Sequence, residues 1–262
     1  MLGVLEGILW LIRFLFGACI FSFLCVVADR MPRKESIVKG RSHCTVCGHV
    51  LTPAELIPCV SYLCLRGRCR ACGAGIPVRE FLCETVGGAA FVLCAVHYGF
   101  GVTGLISLEG AVVFCYLGIL LAVALIDWET QMIYNRFHIL ILLLAVVQWV
   151  LVPEHGLPDR LLGAVIVSVP MLALTLLVPG AFGGGDIKLM SVSGLLIGGA
   201  SMICAMCIGI ITGGAYVTLM LVRKRLNKTD QFAFGPFLAF GLATAIFLGD
   251  KMAVWYLQFG AV

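Results

Sequence analysis

Several apolar runs in this chain reach the roughly 17–25 residues that a helix needs to cross a bilayer, which rules out most folds at once. A transmembrane barrel would show alternating segments of about 10 residues, and none is present. Hydrophobic residues fill 61% of the 262 positions and charged ones 12%, against about 45–50% and 25% in soluble domains. The expected fold class is therefore all-α, a polytopic membrane helix bundle. The expected spans are 5–28, 81–100, 107–126, 136–153, 160–178, 187–200, 202–222 and 234–250, eight in all, with Gly198-Gly199-Ala200-Ser201 as the turn between the sixth and seventh.

Charge placement sets the expected sidedness. Half of the 18 Lys and Arg residues lie between Arg30 and Arg79, and Arg223-Lys224-Arg225-Leu226-Asn227-Lys228 adds more. Under the positive-inside rule both stretches face the cytoplasm, and they read as loop charges rather than as a nucleic-acid site. Eight crossings satisfy this rule better than seven. The N-terminal apolar stretch is followed, not preceded, by its basic residues and shows no A-x-A site, so it is expected to be retained with its N-terminus outside. Arg13 is expected to snorkel to the outer surface. Segment 153–160 is rich in turn formers and becomes an outer loop. The expected division is 1–28 as the first membrane helix, 29–80 as a cytoplasmic loop domain and 81–262 as the main membrane core.

The 29–80 loop is too polar to span and holds six of the 13 cysteines. Cys44 and Cys47, then Cys69 and Cys72, form a C-x2-C, x21, C-x2-C array suited to tetrahedral Zn2+. A glycine follows each pair, letting the backbone turn its amides toward the sulfurs. A loop on the reducing side disfavours disulfides, and about fifty residues bury little core, so a metal staple is expected. Cys59, Cys64, His43 and His49 are alternative ligands with poorer spacing. The seven cysteines within apolar spans read as small buried hydrophobes.

Two acids stand out against this background. Asp127 ends the third expected span, and Asp186 follows Gly183-Gly184-Gly185 at the start of the sixth, on the same expected face. A carboxylate deep in a membrane costs roughly a few kcal/mol, so it tends to mark function. Two that meet share one proton and supply both an acid and a base for peptide hydrolysis. The three glycines would let a substrate strand approach closely. The plainer alternative is a loop in which Asp186 merely caps a helix. Lys188 either meets an acidic substrate group or anchors the helix end. Glu84 enters the second span and is paired or functional. No phosphate loop, H-E-x-x-H or G-x-S-x-G motif occurs.

Further segments carry a resemblance. They are Phe21-Ser22-Phe23-Leu24-Cys25-Val26-Val27, Ser42-His43-Cys44-Thr45-Val46-Cys47-Gly48, and Ile57-Pro58-Cys59-Val60-Ser61-Tyr62-Leu63-Cys64-Leu65-Arg66-Gly67-Arg68-Cys69. Pro77-Val78-Arg79-Glu80, Ala124-Leu125-Ile126-Asp127, Gly183-Gly184-Gly185-Asp186-Ile187-Lys188-Leu189 and Phe234-Gly235-Pro236-Phe237-Leu238-Ala239 complete the series. In this order they resemble the bacterial type IV prepilin peptidases (prepilin leader peptidase/N-methyltransferases), membrane aspartic proteases with a G-x-G-D motif. The resemblance implies an endopeptidase of the inner membrane that cuts leaders from prepilins or pseudopilins after a glycine. It implies Asp127 and Asp186 as the catalytic pair, with both acids and the cysteine loop on the cytoplasmic side.

Many members also methylate the new N-terminus with S-adenosylmethionine, and the resemblance ties the cysteine loop to that second activity. Glu84 is assigned to the cofactor site because acids recur at the equivalent place. Two departures are Cys25, where members often have Asn, and Tyr134-Asn135, where Pro-Asp or Pro-Asn is common. No Rossmann-type glycine motif marks a cofactor pocket. The implied partners are prepilin-type substrates and the lipid bilayer. The alternatives are a peptidase without methyl transfer, an ion-coupled transporter using the same acids, and a scaffold of a pilus or secretion machine.

Overall fold

Each of the eight expected spans is helical in the computed structural model, which describes residues 2–101, 104–152, 156–224 and 232–259. The helices are α1 (Leu2–Arg30), α2 (Val60–Cys64), α3 (Val78–Tyr98), α4 (Leu108–Thr130), α5 (Asn135–Leu151), α6 (Leu157–Ile166), α7 (Ser168–Leu177), α8 (Gly184–Ile197), α9 (Gly199–Val222) and α10 (Gly235–Phe259). Among the described residues there is no β-strand, and two isolated bridges lie in the cysteine loop. Six helical stretches are long and apolar enough to cross a membrane: α1, α3, α4, α6 with α7, α9 and α10. Helix α5 is 17 residues long and α8 only 14, so all eight expected segments are largely helical, but only six are long and apolar enough to cross.

The chain divides into two compact units, Met1–Gly118 and Ile119–Val262. In the first, α1 and α3 run antiparallel and touch closely where both lack side chains. A Cβ on Gly17 would run into the Gly87 carbonyl oxygen, and one on Gly87 into the Phe21 side chain. Phe21 and Phe91 fill the space beside this crossing and are 1% and 2% exposed. Arg13 does not snorkel. It is buried, donates to the Gly104 and Leu105 carbonyls at 2.7 and 3.2 Å, and lies over the rings of Trp10 and Phe100. Desolvation is offset there by hydrogen bonds to loop carbonyls and by the aromatic faces.

In the second unit α9 and α10 are antiparallel, tied by Ser201 Oγ donating to Asp250 at 2.8 Å. Gly198 ends α8 and starts α9 with φ +82°, so the expected turn is there. Adjacent residues of α6 hold it from both sides. Asp159 accepts the Gly199 N–H at 3.2 Å, while Arg160 donates to the Leu195 and Leu196 carbonyls at 3.1 and 3.4 Å. An acid thus meets the start of one helix and a base the end of another, as the helix dipoles favour. Helices α6 and α7 are a single expected span broken at Val167. Pro170 offers no N–H to the Ile166 carbonyl, and at the break itself the Ser168 hydroxyl donates to the Ala164 carbonyl. Residues 153–155 of the expected outer loop and 225–231 of the basic stretch lie outside the described residues.

Candidate active site

Asp127 sits in the last turn of α4 and Asp186 in the first turn of α8, both within the second unit. They are 5% and 9% exposed, and each lies within electrostatic reach of the other. The Gly235 N–H, at the open start of α10, donates to Asp127 Oδ2 at 2.9 Å, and the Gly183 amide lies beside the Asp186 carboxyl at the start of α8. Free N–H groups at helix starts are natural partners for carboxylates. Phe182 and Phe234 precede these two glycines, and their rings lie 5.9 Å apart, so the loops carrying the two amides meet. Asp186 Oδ1 is buried without a hydrogen-bond partner. Such an atom is costly unless something else visits it, and it is a place for water or a substrate oxygen.

The glycine run is shaped by what surrounds it. A Cβ on Gly183 would lie 3.0 Å from Asp186 Oδ2, and one on Gly185 3.0 Å from Ile133 Cβ, whereas Gly184 has open space above it. Lys188 is exposed and its Nζ donates to Asn135 Oδ1 at 3.3 Å, tying α8 to the start of α5. Two contributors escaped the sequence reading. Gly235 was visible as part of a Gly-Pro helix start, but its bond to Asp127 joins residues 108 positions apart. His138 was visible only as a polar residue in an apolar helix, and its Nε2 lies 3.1 Å from the Gly185 carbonyl.

In the first unit the four expected cysteines come together. The sulfurs of Cys44, Cys47, Cys69 and Cys72 all lie within 4.8 Å of one another, with Cys44–Cys72 at 3.9 Å and Cys47–Cys69 at 4.0 Å. A tetrahedral site with about 2.3 Å Zn–S bonds has sulfur–sulfur edges of about 3.8 Å. The two halves are built alike. The Cys44 N–H bonds to the His49 carbonyl and that of Cys69 to the Ala74 carbonyl, while the N–H groups of Gly48 and Gly73 return to Cys44 and Cys69. The two glycines have φ +73° and +74°, a turn that other residues resist.

The amides of Cys47 and Val46 pull the Cys44 thiol down to about 6. At Cys72 the Ala74 amide acts in the same sense, but Cys47, Cys69 and Cys44 crowd around it and push its thiol up to about 11. Four sulfurs at this spacing could share a cation, which would favour the thiolate form of each. The alternative ligands are engaged elsewhere. His43 contacts the Arg41 carbonyl, and His49 contacts Glu55, which the Thr52 amide, the Thr52 hydroxyl and His49 together hold down at about 2. Cys59 reaches Thr85, and Cys64 is exposed and outside the cluster.

Glu84 lies in the same unit with both oxygens engaged. Oε1 accepts from Ser22 Oγ at 2.8 Å and Oε2 from the Cys59 N–H at 2.7 Å. Cys59 holds φ +60°, ψ −45°, and the next N–H bonds back to the Pro58 carbonyl at 2.6 Å. This is a tight turn that is strained for a side-chain-bearing residue.

Comparison with known proteins agrees with this architecture. Residues 15–98 match the bacterial peptidase A24 N-terminal domain and residues 114–218 the type IV leader peptidase family. A prepilin leader peptidase/N-methyltransferase of Bacillus subtilis is 31% identical over 247 residues, covering 94% of this chain and 97% of that protein. One of Pseudomonas aeruginosa is 30% identical over 278 residues, covering 94% and 92%. One of Myxococcus xanthus is 49% identical over 86 residues, covering 33% and 26%. No solved structure matches the chain significantly. A relative of this identity, aligned almost end to end, decides the matter: the chain belongs to the type IV leader peptidase family.

Proposed function

We propose that this protein is an inner-membrane aspartic endopeptidase that removes the leader from prepilins or pseudopilins after a glycine and then methylates the new N-terminus. The observation that carries the first part is the pairing of Asp127 and Asp186, two buried carboxyls within electrostatic reach of each other, each beside the start of a helix. One carboxyl, protonated, polarises the scissile carbonyl, and the other, ionised, takes a proton from the attacking water. The tetrahedral intermediate then collapses as the leaving amine receives a proton. The Gly235 N–H suits Asp127 as the ionised partner, and the unpartnered Asp186 Oδ1 suits Asp186 as the proton carrier. The open face of Gly184 leaves room for a substrate backbone beside the acids, with Gly183, Gly185 and Lys188 bordering it.

The sidedness follows the charge rule, with the N-terminus outside and both the acids and the cysteine loop cytoplasmic. The four cysteines hold a structural Zn2+. Methyl transfer is supported by the names of the relatives, and S-adenosylmethionine would supply the methyl group. Glu84 serves that activity as the residue holding the Cys59 turn, since both its oxygens are already engaged inside the protein. Neither the transporter nor the scaffold alternative draws support from the relatives' names.

Co-expression with a prepilin, followed by mass spectrometry of the pilin, tests the reading. The wild type is expected to remove a leader-sized mass and to add one methyl mass. Asp127→Asn and Asp186→Asn are each expected to abolish the first change while the enzyme still inserts and folds. Normal processing by either variant would remove that residue from the mechanism.

A further inference from the structure

We propose that His138 is a positioning residue for Asp186, holding the glycine run through the Gly185 carbonyl. The inference rests on the peptidase reading above. His138 lies in the first turn of α5, is 6% exposed, and places Nε2 3.1 Å from Gly185 O. A carbonyl oxygen only accepts, so Nε2 carries the proton in this contact. In the neutral ring the lone pair is then on Nδ1, which is buried without a partner.

A side chain that merely filled this space would gain by being apolar, because an unpaired buried nitrogen is unfavourable. What the imidazole adds over Leu or Phe is the bond to Gly185. That bond acts at a sensitive place. The Gly185 carbonyl belongs to the peptide that joins Gly185 to Asp186, so its orientation sets the direction in which the carboxyl leaves the backbone. Gly183 caps α8 while Gly184 and Gly185 open it, and glycines in a helix's first turn resist local reorientation weakly. Ile133 packs against Gly185 on one side, but an apolar contact has no preferred orientation for a peptide plane. A buried hydrogen bond does. The Lys188–Asn135 contact is exposed and acts one turn further along α8.

Loss of the bond is expected to loosen the Asp186 carboxyl relative to Asp127 without touching substrate. A misplacement of about 1 Å costs about 100-fold in rate. The experiment compares His138→Leu and His138→Gln in the full-length chain, using a purified leader-bearing prepilin, with Asp127→Asn and Asp186→Asn alongside. Glutamine can place an amide N–H close to the position of Nε2, and leucine cannot. His138→Leu is expected to lower kcat by about 10- to 100-fold with KM within about twofold. His138→Gln is expected to recover kcat to within about threefold of wild type.

Full kcat in His138→Leu would overturn the inference. So would equal impairment of both variants, because the ring would then matter only as bulk. If His138→Leu does not fold, a folded His138→Gln decides by the same threshold. Aspartate variants that cleave normally would instead overturn the peptidase reading, and this inference with it.

Discussion

Gly235 carries no side chain because Asp127 occupies the space where one would be. A Cβ there would lie 2.6 Å from Asp127 Oδ2 and 2.9 Å from its Cγ, closer than real contacts allow. Gly235→Ala should therefore push the carboxyl aside, lengthen its bond to the helix start, and lower cleavage by about 100-fold. Helix content by circular dichroism should not change. Gly184 gives the opposite case. With nothing within 4 Å, Gly184→Ala should leave stability unchanged or raise it by about 0.4–1 kcal/mol, while raising KM if a substrate strand lies over it. An unchanged KM would remove Gly184 from the binding surface.

The acids themselves were legible in the sequence, because charge in an apolar chain is conspicuous. Gly235 and His138 were not, because each acts through a partner 108 or 47 positions away. Local spacing carries no trace of such a bond. Arg13 shows the converse error. Within the first expected span it was read as snorkelling to the outer surface, yet a tertiary pocket of two carbonyls and two rings buries it.

At the scale of elements, the helix that carries Asp186 is placed by glycine contacts. A Cβ on Gly194 of α8 would run into the Gly163 carbonyl of α6, and one on Gly163 into the Gly194 carbonyl. Backbone, unlike a side-chain tip, cannot step aside. Gly194→Ala should therefore force α6 and α8 apart, costing about 1–3 kcal/mol and lowering the thermal midpoint in detergent. Cleavage should fall with it, since Asp186 rides on the same 14-residue helix. A variant with the wild-type midpoint would mean that the two helices separate freely.

Helix positions were readable from apolar runs, and the Gly198 turn from its glycines. The break at Val167 was not read, although Pro170 announces it, because the run stays apolar throughout. Composition registers a membrane span equally well whether or not its hydrogen-bond ladder is intact.

For the molecule as a whole, the cysteine loop is the part that a membrane cannot stabilise. Between residues 31 and 77, only Pro58, Cys59 and Cys69 are buried among the described residues. That is too little apolar burial to offset the entropy of ordering more than forty residues, at roughly 1–2 kcal/mol each for the backbone. The two cysteine turns have their own backbone hydrogen bonds, but exposed bonds of this kind contribute only about 0.5–1.5 kcal/mol each. A metal held by the four cysteines would therefore provide much of the stability. The purified chain should hold about one tightly bound zinc, and Cys44→Ser or Cys72→Ser should lose it. Chelation should also speed exchange of the Cys44 and Cys69 amides, which bond to His49 and Ala74. Amides inside α1 and α3 should stay protected, because the Gly17–Gly87 crossing is packed without help from the loop. If the Cys44 and Cys69 amides kept their protection after the metal was gone, the turns would be standing on backbone bonds alone, and the sulfurs would need another reason to converge.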